Sequence, residues 1–171
     1  MSIRKSVLAA AVLLTVSAVP SFAGAGQWGL GYFRPEAPVG GRVWFNDKVA
    51  GDLGVGFQSV SPDVGDSQNA FVVDLGVPFV VAEAGAAKFF VRPGYTYASQ
   101  DLGGTNNKTT QYWISGSLGV EYYFTDHFSV QAAHGVRYTS VDSDQGGKYT
   151  TFDSEAFGIS NIGFHFYFGG K

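Results

Sequence analysis

Few side chains in this sequence could do chemistry. It holds three histidines, His127, His134 and His165, and no cysteine. Without cysteine there is no thiol nucleophile, disulfide, thiolate zinc site or iron–sulfur cluster. His134 stands mid-strand on an apolar face, and equal hairpin arms bring Ser160 close to it on the neighbouring strand. A serine beside a histidine is a nucleophile and its base, provided a carboxylate orients the imidazole. No acidic residue shares that face, since Glu155 has the opposite parity. The expected state is therefore a polar pair facing lipid, with His134 hydrogen-bonded locally or turned inward by a β-bulge, and no catalytic residue. The three histidines are too scattered for a metal site. The second chemical set is six charges at alternating positions: Arg42, Asp52, Asp74, Arg92, Glu121 and Arg137. Three of each sign on one face imply either an ion path or an internal salt-bridge network. "GLG" and "GVG" lack the following helix that a phosphate cradle needs. The Asn107-Lys108-Thr109 sequon is the weakest motif.

The elements that must hold these residues are β-strands. Phe71, Val73, Leu75, Val77, Phe79 and Val81 alternate with Val72, Asp74, Gly76, Pro78 and Val80. The same period of two recurs in Phe89–Tyr97, Tyr112–Phe124, Phe128–Tyr138 and Ile162–Phe168, and more weakly upstream. Helical periodicity is nearly absent. Eight strands are predicted, near 26–34, 39–46, 48–60, 69–81, 87–99, 110–124, 127–141 and 155–168. Hairpin register then sets Arg42 opposite Asp52. It also sets Phe79 opposite Phe89, which leaves Arg92 opposite Gly76 and diagonal to Asp74. Lys88 falls near Glu121.

Connections alternate in length. Asn46-Asp47, Ala82–Ala86 and Thr125-Asp126 are tight, while Ser61–Gln68, Gln100–Lys108 and Asp142–Lys148 are long and polar. Arg34–Pro38, with two prolines, is short and breaks the trend. Outward aromatics collect at strand ends: Phe45, Phe79, Phe89, Tyr122, Phe124 and Phe128 at one end, Tyr97, Tyr112 and Tyr138 at the other. Between them the outward residues are aliphatic or small. Two aromatic girdles around an aliphatic band are the pattern of an eight-stranded antiparallel up-and-down transmembrane β-barrel. An eight-stranded barrel is just wide enough for side chains to fill, so the lumen charges are expected to plug it.

Composition agrees. Hydrophobic residues make up 45% and charged residues 15% of the 171 positions, against ~25% charged in soluble domains. A formal charge of −3 excludes the basic footprint that nucleic-acid binding needs. The one continuous apolar run, Ser6–Val19, follows Arg4 and Lys5 and precedes Ser21-Phe22-Ala23. That is a secretory signal peptide over 1–23, leaving a barrel domain over 24–171.

These features together resemble the small bacterial outer-membrane β-barrel proteins of the OmpX, OmpW and OmpA-barrel type. The resemblance spans the mature stretch. It rests on "GRVWFNDKVAGDLGVGF" and "GSLGVEYYFTDHFSV" as tight hairpins, and on "NIGFHFYF". In the last of these, Phe164, Phe166 and Phe168 are similar to the signal read by the barrel-assembly machinery, although Gly169-Gly170-Lys171 follows. His134 with Ser160 invites comparison with the lipid A deacylase family, but Val136 stands where that family has a serine. The resemblance implies a Gram-negative outer membrane, contact with its lipids including lipopolysaccharide, a monomer, and no cofactor. It does not select an activity. A structural or interaction role is expected. The alternatives are a narrow channel or carrier for small or hydrophobic solutes, a lipid-modifying enzyme, and a soluble lipocalin-like carrier.

Overall fold

A computed structural model describes residues 24–63, 65–104, 107–154 and 161–169. The predicted signal peptide, Glu155 and Ser160 lie outside these residues. Ten strands run in chain order: β1 (Trp28–Tyr32), β2 (Val39–Asn46), β3 (Val49–Val60), β4 (Gln68–Gly76), β5 (Phe79–Ala84), β6 (Ala87–Asp101), β7 (Lys108–Thr125), β8 (Phe128–Ser143), β9 (Gly147–Ser154) and β10 (Asn161–Phe168). All pairings are antiparallel. β1 pairs with both β2 and β10, which closes the sheet on itself. The result is an up-and-down barrel of eight staves, because two staves are each built from two strands.

The first composite stave is β4 with β5. Pro78 has no N–H to give the ladder, so the strand breaks at Val77-Pro78. The wall survives because Val77 donates to the Pro93 carbonyl and Ala50 donates to that of Pro78. A register shift between Val80 and Ala82 follows, and Phe79 pairs with Val91 rather than Phe89. Gly94, not Arg92, therefore stands opposite Gly76. The second composite stave is β9 with β10. β10 pairs with the Phe128–Ala133 stretch of β8, and β9 pairs with Val136–Ser143. Of the predicted strand over 155–168, residues 155–160 lie outside the described ones and Asn161–Phe168 is strand, while Asp142–Ser143 and Gly147–Lys148 of the predicted Asp142–Lys148 loop are wall. Gly147 at φ 69° turns the chain there, a conformation that costs glycine nothing.

Tight turns sit at one end of the barrel. The Asn46 side chain accepts from the N–H groups of Lys48 and Val49, an Asx turn that joins β2 to β3. Gly85 at φ 58° turns β5 into β6. Thr125 Oγ1 accepts from the His127 N–H between β7 and β8. The other end carries the longer connections, and β6, β7 and β8, with total lengths of 15, 18 and 16 residues, reach furthest toward it. A membrane crossing needs ~9–11, so this side of the wall stands clear of an apolar belt.

The departure from a simple barrel is residues 33–38. They leave the wall after Tyr32 and enter the lumen, where Phe33, Arg34 and Ala37 are buried. Glycines on the facing walls make room. A Cβ on Gly40 would stand 2.4 Å from the Phe33 ring, one on Gly54 3.1 Å from the Ala37 Cβ, and one on Gly56 2.2 Å from the Glu36 carbonyl oxygen. With β1 and β2 ending early, β3 beyond Val55 pairs only with β4, and β9 pairs only with β8. The loop-end half of the wall is open between those two edges among the described residues.

Gly76 and Gly94 form a bare cross-strand pair on which the Arg92 guanidinium lies. A Cβ on Gly76 would meet Arg92 Cζ at 2.1 Å, whereas one on outward-facing Gly116 would meet nothing. Gly76→Ala is expected to destabilise the barrel by ~1–3 kcal/mol through overpacking. Gly116→Ala should fall within ~0.5 kcal/mol of the parent. Urea titration of the folded, heat-modifiable gel band measures both.

Candidate functional site

Inward positions of adjacent strands bring the lumen charges together. Arg42 and Asp52 are register partners. The Arg42 guanidinium donates Nε to Asp52 Oδ1 at 2.6 Å and Nη2 to Asp52 Oδ2 at 2.9 Å, a bidentate fork. Its Nη1 donates to Glu121 Oε2 at 2.6 Å, and Nη2 also to Gln131 Oε1 at 2.9 Å. Arg42 Cζ also lies over the rings of Phe33, Trp44 and Phe90, 5.8, 6.0 and 5.8 Å from their centroids. Carboxylates thus take its donors and aromatic rings surround the cation.

The network continues both ways from Arg42. Asp52 also accepts from Arg92 Nε at 2.8 Å, and Arg92 Nη2 donates to Asp74 at 2.5 Å. Asp74 accepts from Thr96 Oγ1 at 2.6 Å and pairs with Arg34 at 3.4 Å. On the other side Glu121 accepts from Ser129 Oγ at 2.5 Å and Tyr167 Oη at 2.7 Å, with His165 Nδ1 at 3.3 Å. The order is Arg34, Asp74, Arg92, Asp52, Arg42, Glu121: alternating sign and no net charge. All six are buried. An uncompensated charge there would be expensive, while a paired and hydrogen-bonded one is tolerated.

Two of the seven lumen charges expected from the sequence stand outside this chain. Lys88 is the register partner of Glu121, but its ammonium donates to the Asp47 carbonyl, lies 3.7 Å from Glu83, and sits 4.6 Å over the Trp44 ring. Arg137 pairs with Asp153 at 2.9 Å, near Trp113, toward the loop end. The residue that sequence reasoning missed is Arg34. It sits in the segment read as a plain connection. The signals were present: this connection lacks the Gly, Asp, Asn and Ser of the other loops, and the facing strands carry inward glycines at 40, 54 and 56.

Below the charges, Trp44, Ala50, Val80, Ala86, Tyr123 and Tyr167 pack into an apolar cluster across the turn end. Above them lies the 33–38 segment. A cavity of about 10 Å³ between segment and charges holds room for one water.

The outer surface is the reverse of a soluble one. Leu30, Val43, Leu53, Leu75, Ile114, Leu118 and Ile162 are exposed in a band, and the inward positions hold the charges. Aromatic rings flank the band. Toward the turn end, Tyr122, Phe124, Phe128, Phe166 and Phe164 contact one another in sequence around β7, β8 and β10, with centroids 5.0 to 6.0 Å apart. Phe168 stacks against Trp28 at 4.8 Å. Phe45, Phe79 and Phe89 share this end of the wall. Tyr97 and Tyr112 pair directly at the other end, and Tyr138 pairs with Phe152.

The fold is that of an outer-membrane barrel.

No family model and no curated protein matches the chain. Among solved structures, it is similar to the N-terminal β-barrel domain of OprF from Pseudomonas aeruginosa. That match has 18% identity and a TM-score of 0.46, covering 85% of this chain and 100% of the other. It is similar to the outer membrane protein OprG from the same organism at 14% identity and a TM-score of 0.49, covering 88% and 100%. A major outer membrane protein from Thermus thermophilus matches at 13% identity and a TM-score of 0.29, covering 83% and 97%.

His134 faces outward in the apolar band, opposite Leu118. It lines a shallow apolar groove with Phe89, Leu118, Val120 and Ala132. The partner expected for it, Ser160, lies outside the described residues.

Arg42→Met leaves Asp52 and Glu121 short of their cation. The expected loss is ~3–5 kcal/mol in urea unfolding, as for any buried pair broken from one side. Removing the charges together, in Arg42→Met/Asp52→Asn/Glu121→Gln, should recover more than half of that loss. A triple variant as weak as the single would refute charge compensation as the reason for the network.

Proposed function

We propose that this protein is exported by its signal peptide to a Gram-negative-type outer membrane and serves there as a structural or interaction protein with a plugged lumen. The observation that carries the reading is the charge chain from Arg34 to Glu121, closed on one side by an apolar cluster and on the other by the 33–38 segment. A barrel this narrow is filled by its own side chains. The tall side of the wall, β6 to β9, offers polar residues beyond the girdle, among them Ser99, Thr110, Asp142 and Lys148. It is the surface for contact with other molecules. The outward band meets lipid, including lipopolysaccharide, and Phe164, Phe166 and Phe168 serve the assembly machinery. The barrel acts as a monomer and needs no cofactor.

One observation favours a second reading, a carrier for small hydrophobic solutes. The wall is open between β3 and β9, among the described residues, at the level of the loop-end girdle. Phe57 and Phe152 flank the opening and are 87% and 73% exposed. Faster equilibration of a small aromatic solute into vesicles containing the barrel than into protein-free vesicles would support it.

Two measurements test the primary reading. The protein should fractionate with detergent-extracted outer membrane and change gel mobility on heating; recovery in soluble periplasm would overturn the membrane assignment. In planar bilayers the parent should show no conductance steps above background. Steps that change in Arg42→Ala would replace the plugged barrel with an ion path.

A further inference from the structure

Residues 33–38 differ from the rest of the lumen filling in how they are held. Every other member of the charge chain projects from a strand fixed by ladder hydrogen bonds. Arg34 projects from a segment with no strand partner among the described residues. Its ion pair with Asp74, at 3.4 Å, is the longest link among the carboxylate–guanidinium pairs of the chain, which otherwise run from 2.5 to 2.8 Å. Asp74 does not depend on it, since it keeps Arg92 and Thr96 when Arg34 leaves. Release would therefore strand no buried acid, and the freed guanidinium would gain water.

The surface under the segment is also smooth. Gly40, Gly54, Gly56 and Gly163 face it, and atoms of residues 32–37 stand where their Cβ atoms would be. Apart from Arg34, the side chain that anchors the segment is Phe33, edge-on to the His165 ring at 4.5 Å; the remainder, from Pro35 to Pro38, meets the wall by close approach to glycine, which lets it lift as well as sit. Pro35 and Pro38 stiffen it, because each fixes φ. The unpaired edges of β3 and β9 flank the place it would move through. The 10 Å³ cavity beneath is lined by Phe33 and Arg34 from the segment, and by Asp74, Arg92 and Ser117 from the wall.

We propose that Phe33–Pro38 is a lid over the loop-end half of the lumen, latched by Arg34 on Asp74, and that its release exposes the Asp74–Arg92 end of the charge chain to the loop-end mouth. The proposal rests on the barrel fold and on neither reading of its job, so the conductance test can fail without touching it. Nothing below Arg42 needs to move, and the apolar cluster at the turn end stays closed.

The chain lacks cysteine, so a single introduced thiol reports cleanly. Ser117→Cys places one in the cavity under the lid. Its modification by a small charged methanethiosulfonate is followed in the full-length barrel in detergent. Two independent changes should free the lid. Arg34→Met removes the latch, and Gly56→Ala drives a methyl to within 2.2 Å of the Glu36 carbonyl oxygen. Each is expected to raise the modification rate of Ser117→Cys at least tenfold. A rate unchanged by both overturns the proposal. Ala50→Cys, buried in the turn-end cluster, serves as the second reporter and should stay unreactive in both backgrounds. If it reacts faster as well, the barrel has loosened as a whole and the lid is refuted.

Discussion

The structure depends on one requirement: a guanidinium held inside a β-barrel must have its charge met by carboxylates. Arg42 is fully buried, and a bare cation there would be untenable. Its geometry dictates the neighbours. The fork of Nε and Nη2 calls for a carboxylate on the strand opposite, and Asp52 is its register partner. Nη1 points across the lumen, where Glu121 meets it from a strand 79 residues away in sequence. The rest of the ion's surroundings is aromatic: Cζ lies over the rings of Phe33, Trp44 and Phe90. Once Asp52 is bound from one side, its second oxygen calls for Arg92. That guanidinium needs floor space, which the Gly76–Gly94 pair leaves free. Charge, register and glycine positions are thus one constraint seen three times.

The same requirement governs how the lumen is filled. The six charges of the chain alternate in sign, attract along it and cancel overall. Filling by salt bridges gives no net hydrophobic gain, and buried ion pairs are weak grounds for stability on their own. Their value here is that they suit an inner face which must stay polar because the outer face is apolar. Strand alternation makes that trade unavoidable, since each residue turned to lipid turns its neighbour to the lumen.

Most of the wall was legible in the sequence because alternation has a period of two and the charges share its parity. Eight staves, the tight turns, the Arg42–Asp52 pairing and the two aromatic ends all follow from that period. The misses have a different physical origin. The Phe79–Phe89 register failed because the turn lies at Gly85-Ala86, at the far end of the expected Ala82–Ala86 connection, so that Ala84 pairs with Ala87; the one-residue bulge between Val80 and Ala82 takes back only part of that shift. The last stave failed at its start, because the polar Asp142–Lys148 stretch read as loop and Thr150 and Thr151 fell outside the predicted strands, although Lys148, Thr150 and Thr151 pair with β8 above the belt. Arg34 failed for a third reason. A residue off the wall has no parity, and its trace lies in the unusual composition of the Arg34–Pro38 connection and in the inward glycines that accommodate it. At the site, the chain's strand-borne members were readable, and the member that caps it was not.

The inward segment also fixes where the membrane ends. Unpaired backbone groups of an open sheet edge do not face hydrocarbon. Among the described residues, β3 beyond Val55 has no neighbour on the side where β2 would continue, and β9 lacks one on its matching side. Those edges must therefore lie at the interface or above it. The side chains agree: Phe57 stands two residues beyond Val55, and Phe152 stands two residues inside the end of β9. Both are aromatic and outward, as interfacial positions favour. Toward the turn end, every described stave has two neighbours. The apolar belt accordingly occupies the fully paired part of the wall, and the open part lies in the polar layer outside it. Withdrawing the ends of two staves to plug the lumen is tolerable only at that depth, where water and lipid headgroups can satisfy the exposed edges.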